Sequence, residues 1–431
     1  MKSRYFSFLT VLALFVSLLP ASAQKFQPKA IRFDGAPEYS EAELLAAAGL
    51  KKGVVLNYDE MKEHSQKLLD TGAFDTLSFK FDGVNLIFTL IPTDNLFPLH
   101  LDNLPLAPGK ELDAALHERF PLYHGKVPTE GATMEGIRVF LEERLAAQGI
   151  KATVTAMPSS DMKLHKVTAV AFAITAPAVR VGAIHLEGVS PAMQAKVGKL
   201  VADHIAGSSY DTENATGNVE RALASFYADE GYAAVKVHAV RAGDPVVSSA
   251  SIDIPYSAVV EEGRVYKLGA IHLPADAAVT QTDLDKVIGS AGHSSAKGIV
   301  LRSTWVMISS RYKSKGYLDC KITPHPDFDE ANGVVNYTVD VDPGPVYHLA
   351  FVKFENVSDE LRGHLMRVWQ MLPGDPFDEG YVANFVIKAE KEDPVLMRSL
   401  MGTKVSYDVL ADPQTHEVNC VIRFVKAPPA S

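Results

Sequence analysis

Cysteine is nearly missing from this 431-residue chain, which holds only Cys320 and Cys420. One bridge cannot frame a chain of that length, so a disulfide-stapled secreted scaffold is excluded. Each thiol falls on the apolar phase of an alternating segment (Leu318, Cys320, Ile322; Val418, Cys420, Ile422, Phe424), which predicts buried free thiols in separate cores. Positive charge is also short: 42 Lys and Arg stand against 52 Asp and Glu, a net charge of -10. Phosphate backbones and anionic lipid need clustered Lys and Arg, so nucleic acid is excluded as a partner. Beyond residue 19 no uninterrupted apolar run reaches the roughly 20 residues of a spanning helix.

Enzyme signatures are absent as well. The 14 histidines are scattered, with no His-Glu-x-x-His, and there is no Gly-x-Ser-x-Gly elbow. His117 and His124, seven apart in a polar helix-to-loop stretch, make a poor metal pair. Residues 289–298 (GSAGHSSAKG) invite comparison with a phosphate loop, but Lys297 is followed by Gly298 and not by a magnesium-holding Ser or Thr. That stretch reads as a solvated loop between helices. Glu142-Glu143, Asp229-Glu230 and Glu261-Glu262 read as solvated faces and turns, and the two tryptophans, Trp305 and Trp369, sit on helical core stripes. No catalytic residue, metal, cofactor or small-molecule substrate is expected.

What is present begins with a leader. Residues 1–23 run from basic Lys2 and Arg4 through an apolar stretch at 6–19 to Pro20 and Ala21-Ser22-Ala23. This is the pattern of a secretory signal peptide cut between Ala23 and Gln24, which predicts a protein working outside the cytoplasm. The apolar stretch is too short for a membrane anchor.

The rest is organised by repetition. Gly182-Ala183-Ile184-His185-Leu186 recurs as Gly269-Ala270-Ile271-His272-Leu273, and Gly263-Arg264-Val265-Tyr266-Lys267-Leu268 as Gly344-Pro345-Val346-Tyr347-His348-Leu349. Each period carries the same local signals. In the first, a strand at 31–33 closes on Asp34-Gly35, and Ser40 with Glu43 forms a capping box. A second helix from Asn57 carries Met61, Leu68 and Leu69 on one face and stops at Gly72. Alternating Leu77, Phe79 and Phe81 then reach an Asp82-Gly83 hairpin turn, and a strand returns over 84–90. The order is β-α-α-β-β.

The second period shows Leu112 and Leu116, then Ile137, Phe140, Leu141 and Leu145 before Gly149. The third has Ser190-Pro191 at a helix start, Val219, Leu223 and Tyr227, then Gly231-Tyr232. The fourth has Leu301, Trp305, Ile308 and Tyr312, then Gly316-Tyr317. The fifth has Ser358 as cap, with Asp393-Pro394 breaking its second helix and no Gly-aromatic pair before the next strand. The predicted fold is therefore α+β: about five small domains in tandem, each two helices on a three-stranded sheet. They occupy residues 24–94, 95–177, 178–262, 263–343 and 344–431. The joints Ala176-Pro177-Ala178, Glu261-Glu262-Gly263 and Pro343-Gly344-Pro345 are short and stiff.

This pattern resembles the POTRA (polypeptide-transport-associated) domain. The likeness rests on the strand-plus-Gly opening (Ile31-Arg32-Phe33-Asp34-Gly35; Ile184-His185-Leu186-Glu187-Gly188), on Gly49 and Gly53 in Gly-Leu-x-x-Gly, and on Gly-aromatic after the second helix (Gly231-Tyr232, Gly316-Tyr317, and Gly72-Ala73-Phe74 with one insertion). Five such units resemble the periplasmic part of BamA-type outer-membrane assembly factors. Those end in a membrane β-barrel, whereas the fifth unit here reaches Val425 and a polar tail follows. The resemblance implies a periplasmic arm without its pore, working beside a barrel protein on unfolded polypeptide clients. An adaptor in another envelope process, secretion or division, is the alternative; a hydrolase ranks third.

A three-stranded sheet leaves two strands with an unpaired margin that can accept an extended segment. In POTRA domains the margin strand follows the second helix. Carried over, this points to Thr76, Phe79 and Lys80 (76–80), Val154 (153–156), Val235, Lys236, Val237 and His238 (234–239), Cys320 and Lys321 (319–322), and Val405 and Tyr407 (404–408). Lys80, Lys236, His238 and Lys321 fall on the outward phase, where charge deters indiscriminate edge-to-edge aggregation.

Overall fold

The computed structural model describes residues 25–161, 166–274, 279–280, 282, 284–285 and 296–426. The leader with Ala23 and Gln24, most of the 289–298 stretch and residues 427–431 of the polar tail lie outside the described residues.

Local chemistry sets the helix starts. Helix α1 (Glu41–Ala48) opens on Ser40, whose Oγ accepts from the Glu43 N–H while Glu43 accepts from the Ser40 N–H. Helix α2 (Tyr58–Asp70) repeats this reciprocal cap with Asn57 and Glu60. The Asp393-Pro394 pair ends one helix, as expected, and also starts a further short one at 394–400, with Asp393 as its cap.

Five separate sheets are described. The first contains β1 (Ala30–Asp34), β2 (Phe74–Phe81) and β3 (Asn85–Pro92), in the order β1-β3-β2. The second contains β4 (Leu96–Leu101), β5 (Lys126–Pro128), β6 (Thr153–Asp161) and β7 (Lys166–Ala176), ordered β5-β4-β7-β6. The third contains β8 (Ala178–Glu187), β9 (Lys236–Arg241), β10 (Val246–Val247) and β11 (Ser251–Glu261), ordered β10-β11-β8 with β9 also on β11. The fourth contains β12 (Lys267–His272), β13 (Lys321–Asp329) and β14 (Val334–Asp342), ordered β12-β14-β13. The fifth contains β15 (His348–Glu355), β16 (Thr403–Asp412) and β17 (Glu417–Lys426), ordered β15-β17-β16.

The first, fourth and fifth sheets share one plan. The opening strand runs parallel to the last strand, which is central, and the strand after the helices pairs antiparallel on its other side. The second and third sheets have four strands, not the three expected. Their extra members, β5 and β10, are three and two residues long.

The chain gathers into two compact units. One comprises Met1–His185, Lys199–Val219 and Ala239–Ala258; the other comprises Leu186–Gly198, Glu220–His238 and Val259–Ser431. In the first unit, Leu44, Leu45 and Ala48 of α1 and Met61 and Leu68 of α2 close over Leu86, Phe88 and Leu90 of β3. That apolar stripe on alternating strand positions carries the burial. In the second unit, separate cores form around Leu301, Ile308, Tyr312, Val335 and Val339, and around Phe354, Trp369, Phe385, Cys420 and Ile422.

Joints in the second unit are made by main-chain bonds. The Tyr266 N–H donates to the Gly231 carbonyl (3.0 Å), and the Tyr347 N–H donates to the Gly316 carbonyl (2.8 Å). Both tyrosines are buried, and their hydroxyls donate to Glu330 and Asp319. Glu262 is no solvated turn residue: its Oε1 accepts from the Ser190 N–H at 2.9 Å and from the Tyr227 hydroxyl at 2.7 Å. Burial works against ionisation of this carboxyl, but the Ser190 and Tyr227 bonds outweigh it and hold its pKa below the usual range. Both cysteines are free; Cys420 is buried, and burial pushes its thiol up to about 12. Cys320 is only half-buried, contrary to expectation.

Candidate functional site: open sheet margins

A glycine in the left-handed region turns the chain from helix into margin strand: Gly72 (φ 78°) before β2, Gly149 (φ 76°) before β6, Gly231 (φ 97°) before β9, Gly316 (φ 91°) before β13 and Gly402 (φ 72°) before β16. The fifth period thus has its glycine, without the aromatic partner that follows Gly231 and Gly316. Each strand that follows lies at the margin of its sheet: β2, β6, β9, β13 and β16 have neighbours on one side only among the described residues.

Most of the residues expected on these margins sit there. Thr76 and Lys80 are exposed on β2, and Phe79 turns inward to pack against the core. Val154 is buried on β6. Lys236 and His238 are exposed on β9, alternating with half-buried Val237. Lys321 is exposed at the start of β13, Val405 is half-buried and Tyr407 exposed on β16.

Val235 and Cys320 do not belong to their strands. Their N–H groups donate to the Tyr232 and Tyr317 carbonyls in the turns that follow Gly231 and Gly316. Each ladder therefore begins one residue later than the alternation of apolar side chains suggests.

The margins are not equivalent. Proline has no N–H, so on a margin strand it faces outward and blanks the donor that an incoming strand would use. Strand β13 carries Pro324 and Pro326 opposite Val339 and Tyr337, and β6 carries Pro158 opposite Val170. Strands β2, β9 and β16 contain none. Among those three, β2 and β16 are the long ones, at 8 and 10 residues against 6 for β9. On β16, Tyr407 and Leu410 also expose apolar surface. The solvent face of this sheet is braced by Arg423 on β17, which donates to Asp408 on β16 and to Glu355 on β15.

Sequence spacing gave no weight to His117 and His124, yet both ring Nε2 atoms lie beside the Glu43 carboxylate. Glu43 is distant in sequence, and nothing local signals the meeting.

No helix among the described residues is long and apolar enough to cross a membrane. No family model and no curated protein matches the chain. Solved structures do. A three-domain BamA fragment, POTRA3-5 of Haemophilus influenzae, matches at 16% identity and TM-score 0.40, over 57% of this chain and 96% of that one. The N-terminal domain of Omp85 from the cyanobacterium Thermosynechococcus elongatus matches at 18% identity and TM-score 0.22, over 58% and 99%. CdiB from Escherichia coli matches at 13% identity and TM-score 0.20, over 56% and 36%. The α+β fold itself rests on the strand orders given above.

Proposed function

We propose that the protein is a periplasmic scaffold that binds other polypeptides, acting in outer-membrane β-barrel assembly or polypeptide transport. Its segments 24–94, 95–177, 178–262, 263–343 and 344–431 serve as POTRA-like modules behind a cleaved leader. Its partners are a membrane-embedded β-barrel protein and unfolded clients.

The observation that supports this most is the recurrent margin strand. An extended client pairs its backbone with such a strand, and main-chain pairing is indifferent to side-chain identity, which suits many clients. The two long proline-free margins, β2 and β16, are the sites assigned to capture. Photo-crosslinking residues placed at Ser78 on β2 and at Ser406 on β16, both exposed, test this in cells. Barrel precursors or a barrel protein should be captured there. Capture of division or secretion components instead would move the protein to another envelope process, and no capture at either strand would end the strand-pairing reading.

A further inference from the structure

The geometry points to a surface site for a zinc-class divalent ion, built from Glu43, His117 and His124. Glu43 stands in the first turn of α1; His117 lies in the helix 110–119, here α3; and His124 lies in the loop between α3 and β5. All three belong to the same compact unit.

The distances match a metal's demands. His124 Nε2 is 2.9 Å from Glu43 Oε1, and His117 Nε2 is 3.5 Å from the same oxygen. One ligand atom from each of the three residues can be chosen so that all lie within 4.8 Å of one another. Nitrogen and oxygen ligands about 2.1 Å from a tetrahedral zinc stand roughly 3.4 Å apart, so little movement would admit the ion.

The surroundings hold each ligand in place. Glu43 Oε2 is occupied by the Ser40 N–H at 2.6 Å, which leaves Oε1 to face the two rings. His117 Nδ1 lies 2.9 Å from the Tyr123 carbonyl. A carbonyl can only accept, so Nδ1 carries the proton, and in the neutral ring Nε2 aims a bare lone pair at a carboxylate oxygen. This is the outer-shell arrangement that orients metal-binding histidines. A proton on Nε2 can bridge the two groups as an ordinary ion pair, and a metal ion competes with that proton for the same lone pairs. The exposed His124 ring has two tilted aromatic neighbours, with ring centroids 5.3 Å from Tyr39 and 5.3 Å from His117.

The three residues supply two imidazoles and a carboxylate, leaving a fourth position to solvent, a donor set that suits zinc better than magnesium or calcium. Because the donors come from α1 and from the α3–β5 stretch, a bound ion would tie these elements together. Its role is that of a staple on the folded state.

The test is titration of the untagged chain with zinc after chelator treatment, followed by calorimetry and by thermal melting. One saturable site per chain is expected, with a rise in melting temperature that chelator reverses. His117→Ala and His124→Ala should each weaken the affinity about tenfold or more and abolish the rise. His100→Ala, on β4 of the same unit and beside Glu213 rather than Glu43, should change neither. Far-ultraviolet circular dichroism confirms that the variants are folded. Should a variant not fold, cobalt added to the wild-type chain gives a direct reading through the visible absorption of a tetrahedral nitrogen–oxygen site. The proposal is overturned if the wild-type chain shows no saturable zinc binding, if the His117→Ala/His124→Ala double variant binds as tightly as wild type, or if cobalt gives only its hydrated spectrum.

Discussion

At Gly35 and Gly188, a Cβ would sit 2.2 Å from the Leu90 carbonyl oxygen in the first case and 2.2 Å from that of Val260 in the second. Both residues lie in the left-handed region, at φ 98° and 78°. The strand-plus-Gly opening is therefore a backbone-on-backbone contact, and only glycine fits it. Gly35→Ala and Gly188→Ala are each expected to cost about 2–4 kcal/mol, read as a fall in the urea midpoint. In the fifth period the residue after β15 is Asn356, at φ 63°. Asparagine is among the few other residues that tolerate this region, so the motif is kept in conformation and lost in spelling. Glu262 gives a second prediction at this scale. Its folded pKa lies below the ordinary 4.5. The stability it contributes is thus complete above that value and is lost as pH falls through the lower folded one. Glu262→Gln should lower thermal stability at pH 7, and the gap from wild type should close in acid. A gap that stayed constant down to low pH would refute the linkage.

Among the elements, the margin strands carry the clearest contrast. If outward proline mutes a margin, Pro324→Ala and Pro326→Ala together should raise peptide capture at β13 several-fold, while capture at β2 and β16 stays unchanged. Crosslinking yield with an extended peptide measures this directly, and an unchanged yield at β13 would remove proline as the cause. Much of this level was legible beforehand. Apolar alternation and the glycines placed most of the strands, and Ser40-x-x-Glu43 placed a helix start. What stayed hidden has physical reasons. Strands β5 and β10 are too short to show a period. The N–H groups of Val235 and Cys320 are taken by turns, a matter of bonding that side-chain alternation cannot report. The prolines of β6 and β13 were plain in the sequence, but their meaning depends on which strand is marginal. The Glu43–His117–His124 cluster needed the tertiary fold, because its members meet across 81 residues.

For the molecule as a whole, what matters is how consecutive cores are held along the chain. In the second unit Arg302 grips Asp229 with both oxygens at 2.8 Å, beside Gly298, where a Cβ would crowd Asp229 and Ala228. Both side chains are partly exposed, so the pair is a modest clamp. A double-mutant cycle of Asp229→Ala and Arg302→Ala should give a coupling of about 0.5–1 kcal/mol that shrinks in high salt. Additive effects would show that the pair is incidental. The Gly231–Tyr266 and Gly316–Tyr347 bonds differ in kind, since donor and acceptor both belong to the main chain. No side-chain replacement deletes such a bond outright; only proline at Tyr266 or Tyr347 would. The spacing between these neighbouring cores of the second unit is thereby insulated from most point mutation, and the surfaces on either side of each joint are free to change without loosening it.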